Sequence, residues 1–323
     1  MIQIHETFTS DCNIAAMDTG VLPSEMDQIR QVITKFKDVW VNRLKETESP
    51  FLYLKRQELP SPFALQIFKD GRIWIHTKQA MYGTAKQAKV IVEWGTGKQY
   101  VKASTLKHLR KGGPWLRMGD RIVSECKIYE ILKGKRGIVS LVDVFSYPSK
   151  SSQDNKKTAL VLERWTTSLE QSIKWTKDDL KVIAIDLLYA LKAFKEAGLT
   201  EGDFNRGNVL VLCDKDGKAK KAGLIDFEQT EELSKVIERG YNQPENLRRL
   251  FKPQTVEFDF QNEVLSLINS LYTENKIDLP EVQQILNKGY YQQGGEFFGG
   301  KFEEHIPTST IDEMIEKFAA SIL

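Results

Sequence analysis

The sequence predicts an α+β fold in which a sheet-rich first half precedes a helix-rich second half. Two observations carry this prediction. Residues 63–104 are rich in β-branched and aromatic residues that alternate around short glycine turns, which is typical of antiparallel hairpins. After residue 165, the apolar residues recur mainly at helical spacing. A chain of 323 residues has room for two domains or one large two-lobed domain.

The first segments form a predicted N-terminal extension, residues 1–66, before most of the predicted sheet. Residues 1–22 are predicted to be a loose arm because they are mixed and rich in Thr and Asp. Residues 23–46 carry apolar side chains at helical spacing, with Ser24 as the N-cap. Residues 48–62 are predicted to be a connector because two prolines lie in their second half. The amphipathic helix could pack on the sheet as a regulator or dock a partner.

The sheet-rich part contains four β-rich segments and one helix. A Lys-Asp-Gly turn divides residues 63–77 into a hairpin, and the Gly95-Thr96-Gly97 turn divides residues 88–104 in the same way. The helix stops at Gly134 or Gly137, since glycine commonly ends helices. The expected segments are residues 63–77, 88–104, 118–137 (the helix), 138–148 and 158–165.

The second half begins with a long predicted helix over residues 176–198. Thr176 with Asp179 three residues later forms a capping box, and Gly198 closes the helix. Two strands follow, joined by a turn-rich hairpin around Asp216-Gly217. Later segments are predicted to be helical, notably residues 258–274 and 309–323.

Three polar residues lie at the edges of these two strands. Asp203 and Asn208 precede the first strand in "GDFNRGNVLV", and Asp226 ends the second in "LIDF". Pairing the two strands would bring the three side chains together at the same end of the hairpin. Their carboxylate and amide oxygens are hard ligands that suit Mg²⁺, which often binds together with substrate phosphates.

This arrangement resembles the eukaryotic-like protein kinase family. The stretch "EGDFNRGN" matches the family's His-Arg-Asp…Asn catalytic loop, with Asp203 and Asn208 at the family's spacing. Asp226-Phe227-Glu228 matches the family's Asp-Phe-Gly. The resemblance implies that Asp203 orients the substrate hydroxyl and accepts its proton, and that Asn208 and Asp226 hold Mg²⁺.

The upstream motifs of the family also have counterparts. Lys102 in "QYVKAS" looks like the strand lysine that holds the α- and β-phosphates of ATP. Glu125 in "SECKIYEIL" looks like the helix glutamate that pairs with it, and Glu130 is the alternative. The glycine-rich phosphate loop is matched by "YGTAKQAKV", which keeps Gly83 and Val90 but has alanine at the other two glycine positions.

Further resemblance covers the hinge and the later segments. "LVLERW" looks like the hinge strand, with Leu162 as the gatekeeper and the backbones of Glu163 and Trp165 meeting adenine. Pro244-Glu245 is similar to the Ala-Pro-Glu segment, and Asp259 takes the place of the Asp that anchors the catalytic loop.

The match covers about residues 67–275 and implies a bilobal protein-kinase-like fold. Residues 67–165 would form a β-rich N-lobe, and residues 166–323 a helical C-lobe. ATP and Mg²⁺ are the cofactors that the resemblance implies, and a protein Ser/Thr hydroxyl is the implied substrate.

The chain departs from the family pattern at several positions. Glu201-Gly202 stands where the family has His-Arg, so the usual partner of a phosphorylated activation loop is missing. A carboxylate at Glu201 must find a partner or face water. Glu228 replaces a glycine. Asn205 stands where the family has a lysine, and Arg206 is the candidate for the missing positive charge near the transferred phosphate.

Two other functions stay open. "GDFNRGNVLV" and "LIDFE" also resemble the choline kinase and aminoglycoside phosphotransferase families, which act on small molecules. The substituted glycines and Glu201 would also suit an ATP-binding pseudokinase module.

Composition narrows the expected partners and compartment. A net charge of +2 gives no general case for nucleic acid as the partner, and no apolar run approaches a membrane span. Three widely spaced cysteines fit a reducing, cytoplasmic compartment. A compact, atypical kinase with an N-terminal arm would also suit a bacterial effector injected into a host cell.

Overall fold

The computed structural model describes residues 23–55, 59, 63–81, 88–104, 118–148, 156–241, 253–277 and 308–320. The chain divides into two compact units. The first comprises Met1–Met118 and Leu141–Arg164, and the second comprises Gly119–Ser140 and Trp165–Leu323. The predicted α+β class is confirmed, because a curled antiparallel half-barrel sheet occurs together with several helices.

The first unit is built on a seven-stranded sheet whose neighbouring strands are all antiparallel. Its strands are β1 (Phe51–Lys55), β2 (Ala64–Phe68), β3 (Ile73–Met81), β4 (Ala88–Glu93), β5 (Gln99–Ser104), β6 (Leu141–Pro148) and β7 (Lys156–Glu163). They follow the order β1-β2-β3-β4-β5-β7-β6. Strand β7 therefore lies between β5 and β6 and pairs with the strand that carries Lys102.

Strand β1 corrects the prediction that residues 48–62 form a connector. It pairs along its whole length with β2, with Phe51 opposite Phe68 and Lys55 opposite Ala64. The prolines of this stretch follow the strand or precede it, so the five residues between them can pair. The run Phe51–Lys55 is short and shows no polar alternation, so the neighbouring prolines favoured a connector in the sequence pattern.

Helix α1 (Pro23–Lys45) packs on one face of this sheet. Its fully buried residues Ile29 and Ile33 lie in one core with the side chains of β2, β3 and β4 that point to this face. These strand residues are Leu65, Ile67, Ile73, Ile75, Val90 and Val92. Burying each isoleucine contributes roughly 1.5–3 kcal/mol. The helix is thus part of the core of the first unit, as expected if it packs on the sheet.

The second unit combines helices with short strands. Its helices are α2 (Met118–Ile131), α3 (Lys177–Glu196), α4 (Leu233–Tyr241), α5 (Pro253–Glu274) and α6 (Thr308–Ala320). Its strands are β8 (Thr167–Ser168), β9 (Leu199–Thr200), β10 (Val209–Cys213), β11 (Ala219–Leu224) and β12 (Glu231–Glu232). Among the described helices of both units, none combines the length and the apolar character needed to cross a bilayer.

Helix α3 is the centre of the second unit. The capping box of Thr176 and Asp179 is present as predicted, and Gly198 follows the helix with φ +63°. The helix packs against β11, α5 and α6, and most of its apolar side chains are buried. The predicted hairpin is also present, since β10 and β11 pair antiparallel across the turn at Gly217.

Two buried carboxylates of α3 hold strand β11 in place. Asp179 accepts the backbone N–H of Ala219 at 2.8 Å, and Asp186 accepts that of Ala222 at 2.8 Å. Asp186 also accepts Arg136 Nε at 2.5 Å. A buried carboxylate is costly unless it is hydrogen-bonded, so these contacts fix where β11 crosses the helix. Strand β11 in turn leads directly to Asp226.

Gly137, in the segment after α2, packs closely against helix α3. Its φ is +80°, and a Cβ there would lie 2.2 Å from the carbonyl oxygen of Asp186 and 2.8 Å from Ala190 Cβ. Both the backbone conformation and the contact therefore require glycine.

We expect Gly137→Ala to lower the free energy of unfolding by roughly 2–4 kcal/mol, because it adds a backbone clash to an unfavourable φ. Gly134→Ala is the matched control, since Gly134 has φ +73° but a Cβ there would meet no atom within 4 Å. It should cost about 1 kcal/mol. Urea unfolding followed by tryptophan fluorescence measures both, and equal losses would contradict the close contact.

Candidate functional site

The loop from Glu201 to Asn208 joins β9 to β10 and holds Asp203 by its backbone. The N–H of Asp203 donates to Glu201 Oε1 at 3.0 Å. The carbonyl of Asp203 accepts Asn205 Nδ2 at 3.0 Å and Asn208 Nδ2 at 2.9 Å. The residue itself is exposed. Its backbone is therefore fixed at three points while its carboxylate stays accessible, as a proton acceptor for a bound substrate requires.

Asn205 organises the next turn of this loop. Its Oδ1 accepts the N–H of Gly207 at 2.9 Å and that of Asn208 at 3.2 Å, which caps the 3₁₀ helix Arg206–Asn208. In the sequence Asn205 stood out only because it replaces a lysine. An Asn two residues before Gly-Asn is typical of an Asx turn, and that signal could have identified its structural role.

Asn208 and Asp226 lie side by side at the ends of β10 and β11. Val209 pairs with Leu224, and the N–H of Ile225 donates to the carbonyl of Asn208 at 3.0 Å. Asp226 follows Ile225 with φ 70° and ψ 61°. This left-handed conformation is uncommon outside glycine, although Asp tolerates it, and such backbone strain concentrates at functional sites.

The donors of Asn208 and Asp226 fit Mg²⁺. Asn208 Nδ2 is bound to the carbonyl of Asp203, so the opposite end of the amide, Oδ1, is the oxygen that could ligate a cation. In the part of the chain that the structure describes, no cluster of three or more His, Cys, Asp or Glu side chains could hold a metal. One carboxylate and one amide suit a magnesium ion that also takes water and phosphate oxygens, rather than a cage made of protein alone.

Glu201 is buried, with 8% of its surface exposed. Its Oε1 accepts the N–H groups of Gly202 at 3.1 Å and Asp203 at 3.0 Å, and its Oε2 accepts the hydroxyl of Thr230. The expectation that this carboxylate must find a partner is met by Thr230, which the sequence did not single out. Burial raises the pKa of Glu201, and the negative charge of Asp226 raises this pKa further.

Tyr129 of α2 is buried near three carboxylates. Burial and then the charge of Glu125 raise the pKa of Tyr129 well above its ordinary value, and the charges of Asp226 and Glu201 act in the same direction. The backbone N–H of Asp226 lies near the Tyr129 hydroxyl and acts in the opposite direction on this pKa. Its ring contacts Phe227 with centroids 4.6 Å apart. The second unit thus brings the predicted residue Glu125 into the neighbourhood of Asp226.

Arg206 binds helix α5. Its Nη1 donates to Glu274 Oε2 at 2.8 Å, and its Nη2 donates to Ser270 Oγ at 2.9 Å and to Glu274 Oε1. The bond to Glu274 raises the pKa of Arg206 and lowers that of Glu274. To contact a transferred phosphate, the guanidinium would have to exchange Glu274 for it. That predicted role stays a prediction.

The remaining predicted residues lie elsewhere along the chain. Val90 of β4 and Leu162 of β7 are buried in the first unit, and Glu163 at the end of β7 is exposed. Trp165 is buried in the second unit, and Asp259 lies on α5. Gly83, Pro244 and Glu245 fall outside the described residues. Lys102 lies on β5, and its predicted pairing with Glu125 stays a prediction.

The predicted nucleotide-binding residues of the first unit share neighbouring strands. Glu163 pairs with Tyr100, and Val161 pairs with Lys102. Glu163 is the position expected at adenine, and Lys102 is the position expected at the phosphates. The two are therefore offset by two residues, or about 7 Å, along the strand direction.

Replacing Glu201 by Gln tests the raised pKa of this carboxyl. Because the folded protein holds the proton of Glu201 more tightly than the unfolded chain, Glu201 stabilises the fold at low pH. This contribution is lost as the pH rises from 4.5, the ordinary value, through the raised pKa of the folded state. The difference between the unfolding free energies of wild type and Glu201→Gln should therefore become smaller as the pH rises across this window. A flat difference in urea titrations between about pH 4 and about pH 8 would contradict the shift.

Comparisons with known proteins identify no family for this chain, so a functional argument depends on the geometry of this loop. No protein-family model matches the chain, and no curated protein matches it either.

Proposed function

We propose that this chain is an ATP- and Mg²⁺-dependent phosphotransferase with a bilobal, protein-kinase-like fold that phosphorylates Ser or Thr hydroxyls of a protein. The observation that carries the proposal is the loop around Asp203. Three hydrogen bonds hold its backbone, its carboxylate is exposed, and Asn208 lies beside Asp226 through the Ile225 hydrogen bond. A proton acceptor next to two oxygen ligands is the arrangement that phosphoryl transfer to a hydroxyl requires.

In the proposed reaction, Asp203 orients the acceptor hydroxyl and takes its proton as the oxygen attacks the γ-phosphorus of ATP. Asn208 and Asp226 hold Mg²⁺, which neutralises charge on the phosphates when it is bound. Lys102, paired with Glu125, positions the α- and β-phosphates. The bond from phosphorus to the β,γ-bridging oxygen breaks, and ADP leaves. Little covalent chemistry falls to the protein, so positioning and charge neutralisation account for most of the catalysis.

The first unit supports a nucleotide that lies along β5 and β7. The backbone of Glu163 would meet adenine, and Lys102 would reach the phosphates from the neighbouring strand. Val90 and Leu162 are buried apolar residues of the same sheet, but Val90 packs in the core that α1 covers, so their predicted contacts with the base stay predictions.

A small-molecule phosphotransferase is the second candidate, and the segment after Asp226 favours it. The chain passes at once through the 3₁₀ turn Phe227–Gln229 and β12 into α4, which packs against α5. Peptide substrates often pair with an extended strand edge, and a segment folded into a helix offers none. An ATP-binding module without turnover would be the outcome if ATP binds and no acceptor is phosphorylated.

The proposed metal site predicts that Asp226→Asn lowers phosphotransfer by roughly 100-fold or more. The fold should be retained, because Asn tolerates the left-handed backbone that Asp226 adopts. Asp216→Asn, in the exposed turn of the hairpin, is the matched control and should match wild type. Radiolabelled ATP measures the transfer, and thermal melting measures the fold. Full activity in Asp226→Asn would exclude the site.

The substrate class is tested with radiolabelled ATP, Mg²⁺, wild type and Asp203→Ala. The acceptors are a host-cell protein lysate and a panel of amino-alcohols and aminoglycosides. We expect labelled protein with wild type and a loss of label with Asp203→Ala, because the proton acceptor is removed. Label on small molecules alone would select the second candidate. No label on any acceptor would refute the proposed function, and a thermal shift with Mg-ATP would then identify a binding module.

A further inference from the structure

We propose that Glu201 and Thr230 form a latch that positions Asp203 for phosphoryl transfer. The latch connects the start of the loop that carries Asp203 to the segment that follows Asp226. This inference rests on the proposed function and assigns to it two positioning residues, neither of which contacts the substrate.

The two oxygens of Glu201 face different segments. Oε1 accepts the N–H groups of Gly202 and Asp203, at 3.1 and 3.0 Å, and so binds its own loop. Oε2 accepts the hydroxyl of Thr230, four residues after Asp226. Glu201 is 8% exposed and Thr230 is 5% exposed, so water competes little for these hydrogen bonds. Bonds to an ionised acceptor are about twice as strong as neutral ones.

The surrounding backbone brings the same two segments together. Strands β9 and β12 pair antiparallel, with Thr200 opposite Glu231 and Leu199 opposite Glu232. On the other side of the latch, a Cβ on Gly202 would lie 3.2 Å from the carbonyl oxygen of Gln229. Two short strands are weak alone. The side-chain latch therefore reinforces the contact at the point where the loop turns towards Asp203.

The hydrogen bond from Asp203 N–H sets the direction of the Asp203 side chain. It fixes the peptide plane that precedes the residue, while Asn205 and Asn208 hold the carbonyl that follows. Without the Thr230 hydroxyl, Glu201 Oε2 would keep the repulsion of Asp226 and lose its donor. We expect the carboxylate to rotate and release the N–H groups. A displacement of the acceptor by about 1 Å can cost roughly 100-fold in rate.

Thr230→Val is the central variant, because valine keeps the shape of threonine and lacks the hydroxyl. We expect kcat to fall by roughly 10- to 100-fold while KM for ATP changes by less than about twofold, since Asp203 meets the acceptor and not ATP. Thr230→Ser should restore most of the rate. Thr166→Val is the control, because Thr166 also hydrogen-bonds through its hydroxyl but does so to Cys213. It should keep the wild-type rate.

Hydrogen exchange at the amides of Gly202 and Asp203, without nucleotide, gives a readout that does not depend on activity. Both amides should exchange faster in Thr230→Val and in Glu201→Leu, and at the wild-type rate in Thr230→Ser and Thr166→Val. Glu201→Leu provides the same test if Thr230→Val does not fold.

The outcomes separate the latch from the proposed function. Faster exchange together with a lower kcat, rescued by serine, supports the latch. Unchanged exchange or an unchanged kcat in Thr230→Val overturns it. A parallel loss of kcat and of ATP affinity without rescue by serine also overturns it, because that pattern reflects general unfolding. An inactive wild type refutes the proposed function, while the exchange measurement still decides whether the hydrogen bonds of the latch hold the loop.

Discussion

The candidate site depends on the aromatic packing of Phe227. Phe227 is 1% exposed and belongs to a chain of five aromatic rings in the second unit. The rings, each in contact with the next, are Tyr129, Phe227, Phe194, Phe260 and Phe204, with centroids 4.6, 5.7, 5.0 and 5.6 Å apart. Asp226 directly precedes Phe227, and Asp203 directly precedes Phe204. Packing of the two phenylalanines therefore sets where the two carboxylates emerge.

Buried carboxylates that accept backbone N–H groups also hold the site in place. Asp179 and Asp186 hold strand β11 on helix α3, and Glu201 holds the loop that carries Asp203. Each is buried, so these hydrogen bonds, together with those to Thr176, Arg136 and Thr230, offset the cost of an isolated charge. The apolar core gives the second unit its stability, while these polar contacts select one position for each strand and loop relative to α3.

Much of the fold follows from local patterns. The capping box at Thr176, the turn at Gly217 and the helical spacing of residues 23–46 predicted α3, the β10–β11 hairpin and α1 close to their observed bounds. Strand β1 was missed because its five residues lie among prolines, and its assignment depends on pairing with β2. Of the site, Asp203, Asn208 and Asp226 could be selected from their spacing, since the hairpin that joins them is short.

The sequence by itself determined the class of fold and the main elements, and it singled out the residues of the proposed phosphoryl transfer, because these depend on residue type and on contacts between near neighbours. Only the tertiary structure decided the partners of Glu201, the engagement of Arg206 by Glu274 and the gathering of Glu125, Asp226 and Glu201 around Tyr129. Thr230 is 29 positions from Glu201, Glu274 is 68 positions from Arg206, and Asp226 is 97 positions from Tyr129, so no local pattern encodes these contacts. They arise when the fold brings distant segments together and polar groups then meet partners within reach.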